Sequence, residues 1–126
     1  LTWKGQLKSR VSTQPQFSVE EQVERYKKVI EFDPKDVLGY FSLGSVYTSA
    51  QLWEKAEEAY RKALEVDPEH SSSFFGLGHA LQEQGKLAEA AKVFETGIPV
   101  AGRKGDMIPF KKMTARLREI REKEIS

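Results

Sequence analysis

The chain has 126 residues, 39% of them apolar and 31% charged, a composition that suits one globular domain with a modest core and much surface. A formal net charge of +1 leaves no overall electrostatic footprint for nucleic acid, and the lack of cysteine excludes disulfide frameworks, thiolate metal sites and cysteine nucleophiles. No apolar run approaches the roughly 18 to 20 residues that span a bilayer, so a soluble protein is expected, with the cytoplasm as its compartment and no membrane partner.

Residues 1–17, with Pro15 and several Ser, Thr and Gln, carry no helical periodicity and are expected to be extended or mobile, although Trp3 and Leu7 are able to dock locally. The chain opens on Leu1, which is what an excised domain or a processed chain would show. The folded domain is expected over 18–126. It starts with a half-repeat, 18–36, in which Ser18 and Glu21 form a capping box ahead of a helix over 19–33. With no recognisable helix before it, Val19, Val23 and Ile30 are expected to lie partly open, against Trp3, an upstream segment or a second copy.

An offset of 34 residues aligns Tyr26, Lys28, Glu31, Asp33 and Pro34 with Tyr60, Lys62, Glu65, Asp67 and Pro68, five identities in nine positions. The same offset matches Tyr40 and Phe41 with Phe74 and Phe75, Leu43-Gly44 with Leu77-Gly78, and Ala56 with Ala90. Two complete units follow, 37–70 and 71–104. In the first, Tyr40, Leu43, Gly44 and Tyr47 share one face of a first helix, and Ala56, Ala59, Tyr60, Ala63 and Leu64 share a stripe of the second. Gly44, and Gly78 after it, costs its helix about 1 kcal/mol against alanine, a cost offset if a neighbouring helix comes close there. Asp33-Pro34 and Asp67-Pro68 end the second helices, because a residue before proline is driven out of helical conformation.

In the unit 71–104, Leu81 stands where the first unit has Tyr47, Gly97 where it has Ala63, and position 102 is glycine where it has Pro68. Pro99 is expected to kink or end the second helix near Gly97. A last helix over 106–124 follows, with Asp106 as cap, Pro109 tolerated in its first turn, and Met107, Phe110, Met113, Thr114, Leu117 and Ile120 at helical spacing.

The spacing aromatic, Leu-Gly, aromatic, Ala-x-x-x-aromatic, Pro over 34 residues, carried by Tyr40, Leu43, Gly44, Tyr47, Ala56, Tyr60, Ala63 and Pro68, resembles the tetratricopeptide-repeat family. The resemblance implies an all-α fold, a right-handed superhelix of antiparallel helix pairs with about six helices, whose last helix caps the array. It also implies a concave groove, lined by first helices, that receives a peptide or a helix of a partner protein. The groove positions would be Leu38, Phe41, Ser45, Thr48 and Ser49 from one unit and Ser72, Phe75, His79, Gln82 and Glu83 from the next. Phe41 and Phe75 are then either anchors for a partner or packing between first helices.

Some members of that family grip the terminal carboxylate of chaperone tails with lysine, arginine and asparagine. This chain has no asparagine, and Leu38, Phe41, Ser42, Ser45, Ser72 and Gly76 hold the matching positions, so no chaperone-tail clamp is expected. Histidines occur only at 70 and 79, too few for a metal site, and no phosphate loop, Gly-x-Ser-x-Gly or His-Glu-x-x-His is present. His79 and Glu83, one helical turn apart, are the sole acid/base pair worth weighing, against a plain surface pair. Residues 103–126 carry eight Lys or Arg against four Asp or Glu, which reads as a basic arm or as a solvated helix face. The expected protein is therefore a scaffold without enzymatic activity, metal or cofactor, and without a nucleic-acid partner. The alternative is an assembly, regulatory or self-association domain of a larger protein, which includes a homo-oligomer.

Overall fold

The computed structural model describes residues 17–125. Expectations for Trp3, Leu7 and the rest of 1–16 lie outside the described residues. Within them the chain forms six helices, α1 (Val19–Phe32), α2 (Val37–Ser49), α3 (Trp53–Val66), α4 (Ser71–Glu83), α5 (Leu87–Lys104) and α6 (Met107–Ile125), and no strand.

Each boundary has a local cause. Ser18 Oγ accepts the Glu21 amide at 3.1 Å and opens α1, and Asp36 Oδ1 accepts the Leu38 amide at 3.0 Å and opens α2. The two Asp-Pro steps close α1 and α3, with each aspartate turning its carboxylate onto an amide two residues on, Lys35 and Glu69. Asp106 sits just ahead of α6, yet its carboxylate accepts the Ser71 hydroxyl at 2.8 Å and so ties the start of α6 to the start of α4.

Of the two outcomes expected at Pro99, a kink or an end of the second helix of its unit, the end does not occur: α5 runs through it to Lys104. Pro99 and Glu95, whose carbonyl loses its helical donor to the proline, both lie on the exposed face, where water replaces the missing partner. The helix stops at Gly105, whose φ of 76° is left-handed backbone that glycine adopts without strain.

Consecutive helices pack as antiparallel neighbours, and α2, α4 and α6 also touch in sequence, α2 on α4 and α4 on α6. Helices α1, α3 and α5 make no such contact with one another, so the chain curves with α2, α4 and α6 on its inner side. Between the two layers lies a core of Ala56, Tyr60, Leu77, Leu81, Ala90, Phe94, Met113, Leu117 and Ile120. Tyr60, 3% exposed, holds the layers together. A Cβ on Gly44 would stand 2.6 Å from its ring and one on Gly76 2.5 Å, so the ring lies wedged between α2 and α4 where only glycines leave space. Gly97 serves α5 likewise, since a Cβ there would meet Phe74 and the Met113 sulfur at 2.7 Å.

The ends differ from the middle. Helix α1 has no buried residue: Val19, Val23 and Ile30 are half-buried and Phe32 is 92% exposed. In α6 the expected apolar stripe buries Met113, Leu117 and Ile120, while Met107 at its head stays exposed. No helix among the described residues is long and apolar enough to cross a membrane.

Candidate functional site: an aromatic cleft on the inner face

The inner layer encloses a cleft of about 220 Å³. Helix α2 supplies Phe41, Ser45 and Thr48, helix α4 supplies Ser72, Phe75, Gly76 and His79, and Tyr60 of α3 forms the floor. The third wall is α6, through Ile108, Pro109 and Lys112. Six of the groove residues named from the sequence thus meet in one place, Phe41, Ser45, Thr48, Ser72, Phe75 and His79.

The others lie elsewhere. Leu38 is exposed in the first turn of α2 and does not line the cleft. Ser49 borders a shallow depression with Gln22, Tyr26 and Ser42, and Glu83 faces a side cleft with Leu52, Trp53 and Gln84. Gln82 is partly buried, and its Oε1 has no hydrogen-bond partner.

The cleft is aromatic because its helices bring rings together at helical spacing. Phe41 packs 5.9 Å from Tyr60 and edge-on to His70 at 5.1 Å, while Phe75 stacks on His79 at 5.8 Å and on Phe94 at 6.5 Å. Both phenylalanines are half-buried, so each packs against the core and also shows a face to the cleft. Packing and accessibility are therefore properties of the same two side chains. The Thr48 hydroxyl and the Tyr60 hydroxyl satisfy each other at 3.0 Å, which lets a phenol sit in an otherwise apolar floor.

His79 lies between Phe75 and Trp53, whose ring is 5.1 Å away. Burial pushes its pKa below the usual histidine value, the nearby Arg116 charge adds to the shift, and Glu83 opposes it. Glu83 Oε1 stands 3.8 Å from His79 Nε2, beyond hydrogen-bond range. A neutral ring stacked on Phe75 and tilted against Trp53 acts as a wall of the cleft. No group of three or more His, Asp or Glu side chains suited to a metal occurs among the described residues.

The contribution of α6 to the cleft is absent from the sequence, which presents that helix as a cap and as a basic arm or solvated face. Helices α2, α4 and α6 begin at residues 37, 71 and 107, so the second interval is two residues longer than the first. Comparison at a fixed offset of 34 loses register there, and Ile108 and Lys112 escape it. The signal that finds them is Gly105-Asp106, a helix stop followed by a start two residues later than the repeat demands.

The chain matches the family model described as tetratricopeptide repeat over residues 41–103. No curated protein matches its sequence. Among solved structures, the type III secretion translocator chaperone SycD of Yersinia enterocolitica superposes with a TM-score of 0.80 at 17% identity, covering 86% of this chain and 75% of that one. The second TPR domain of the human RPAP3 protein, in complex with the HSP70 peptide SGPTIEEVD, gives 0.72 at 27% identity, covering 82% and 81%. The protein BPP2914 from Bordetella parapertussis gives 0.70 at 29% identity, covering 81% and 89%. These likenesses place the fold among right-handed superhelices of antiparallel helix pairs.

Proposed function

Since the chain belongs to the tetratricopeptide-repeat family, we propose that it is a non-enzymatic scaffold that holds a peptide or a helix of a partner protein in the cleft between α2, α4 and α6. The observation that carries this is the pair Phe41 and Phe75, two half-buried rings that flank one concave space and expose a face into it. An apolar side chain entering that space leaves water on both of its sides at once, the arrangement by which helical grooves take linear segments. Solved structures of the same fold include a domain bound to a peptide and the SycD chaperone in complex with a peptide of the translocator YopD.

The rest of the site supports binding in preference to chemistry. Its polar groups are hydroxyls, one neutral imidazole and the Lys112 ammonium, none of them joined in a nucleophile-base pair. A clamp on a terminal carboxylate, not expected from the sequence, is no part of this proposal, because the α2 and α4 walls offer Ser45, Ser72 and Gly76 and no cation.

The test is substitution of the two rings. Phe41→Ala and Phe75→Ala are each expected to weaken retention of a partner peptide by roughly tenfold or more, since truncating an anchor ring costs about 2 kcal/mol or more. Circular dichroism should show the helical content unchanged, because neither ring is fully buried. Retention equal to that of the unaltered chain in both variants would place the binding surface elsewhere.

A further inference from the structure

The cleft is polarised along its length. At the end where α6 begins, the rim is apolar: Ile108, 73% exposed, lines it. About one turn further along α6, Lys112 carries its ammonium 5.4 Å from the centre of the Phe75 ring. Arg116, one more turn along, lies near enough to His79 to help lower its pKa.

Several cations on the molecule are neutralised by neighbouring acids. Arg61 and Lys86 are paired with Glu57, Arg103 with Glu69, and Arg121 with Glu95. Neither Lys112, which lines the cleft, nor Arg116 forms an ion pair among the described residues, and no Asp or Glu lines the cleft, Glu83 beside His79 facing the side cleft instead. Two unneutralised cations beside an aromatic floor, with low-dielectric walls around them, focus a positive potential onto whatever occupies the space.

We propose that the partner segment pairs a large apolar side chain, seated between Phe41 and Phe75, with an acidic side chain about one helical turn away that meets Lys112 and Arg116. This rests on the groove reading above and adds the chemistry of its occupant. Both cations stand on one wall, so they hold one carboxylate group, and an acid within a segment satisfies them without any free chain end. The first 16 residues of this chain carry Lys4, Lys8 and Arg10 and no Asp or Glu, so they lack the acid that this proposal requires of the occupant.

The probe is a phage library of random peptides about a dozen residues long, flanked at both ends by carrier sequence and selected on the full chain. Enriched sequences are expected to combine Leu, Ile, Met, Phe or Trp with Asp or Glu about one turn away. A fluorescent, C-terminally amidated copy of an enriched peptide should then lose roughly tenfold in affinity on Lys112→Glu or Arg116→Glu, and should regain it when the peptide's own acid is changed to lysine. Its free-acid form should bind equally well, and added salt should weaken both.

Enrichment of basic peptides overturns the proposal. So does binding that falls with Phe41→Ala but ignores both charge reversals, in which case the groove reading survives alone. Enriched peptides indifferent to Phe41→Ala and Phe75→Ala overturn the groove reading itself. A tenfold loss on amidation would mean that a chain end is what the cations hold.

Discussion

Gly44 shows how one missing side chain sets the packing of two helices. The alanine that would suit a helix better by about 1 kcal/mol has its Cβ 2.6 Å from Tyr60, a separation that forces the ring or the helix to move. Overpacking of this kind costs typically about 1 to 3 kcal/mol, which exceeds the propensity gain. Gly44→Ala is therefore expected to lower stability by up to about 2 kcal/mol, read as a lower urea midpoint with little change in slope. In a Tyr60→Ala background the same substitution should become neutral or stabilising, and a loss of equal size in both backgrounds would refute the steric account. The glycine and its repeat at Gly78 were readable from the sequence as sites of close approach. The identity of the intruding ring was not, because Gly76 reaches the same Tyr60 from the next unit and no period links residues 60 and 76.

Among the elements, α5 departs furthest from what its sequence suggests. A proline in a helix interior costs about 3 kcal/mol by removing a hydrogen bond and crowding the preceding turn, and on that ground the helix was expected to kink or end near Gly97. What outweighs the local cost is packing on both sides of the proline: Phe94 and Gly97 before it and Ala101 after it are all buried against α4 and α6. The residual strain should be recoverable. Pro99→Ala is expected to stabilise the protein by about 1 to 3 kcal/mol in urea unfolding, and a stability equal to or below the parent would show that the proline sits without strain. The two extra residues between the starts of α4 and α6 also explain why the third wall of the cleft escapes a reading at fixed period. Helix boundaries at Asp33-Pro34 and Asp67-Pro68, by contrast, follow from the local chemistry of two residues, so they needed no structure to be found.

For the molecule as a whole, acid is the condition that tests how its layers are held. Burial lowers the pKa of both His70 and His79 below the ordinary 6.5, with Lys104 adding to the shift at His70 and Arg116 at His79 against the pull of neighbouring acids. Glu57 is also lowered: burial raises it, but hydrogen bonds from Gln84 and Arg61 and the charges of Arg61 and Lys86 outweigh that. Below about 6.5 the unfolded chain binds histidine protons that the folded chain refuses, so stability rises with pH there and falls as the solution is acidified. The melting temperature is expected to drop between pH 7.5 and 5, and His70→Gln with His79→Gln should flatten that slope; an unchanged slope in the double variant would remove the histidines from the account. Tyr60 has one more consequence at this scale. With its ring held between Gly44 and Gly76, the separation of α2 from α4 is gauged by the thickness of an aromatic ring inserted from behind. The aperture offered to a partner is thus set by an outer-layer helix, and a thinner or bulkier residue at position 60 would change which side chains are admitted without altering anything on α2, α4 or α6.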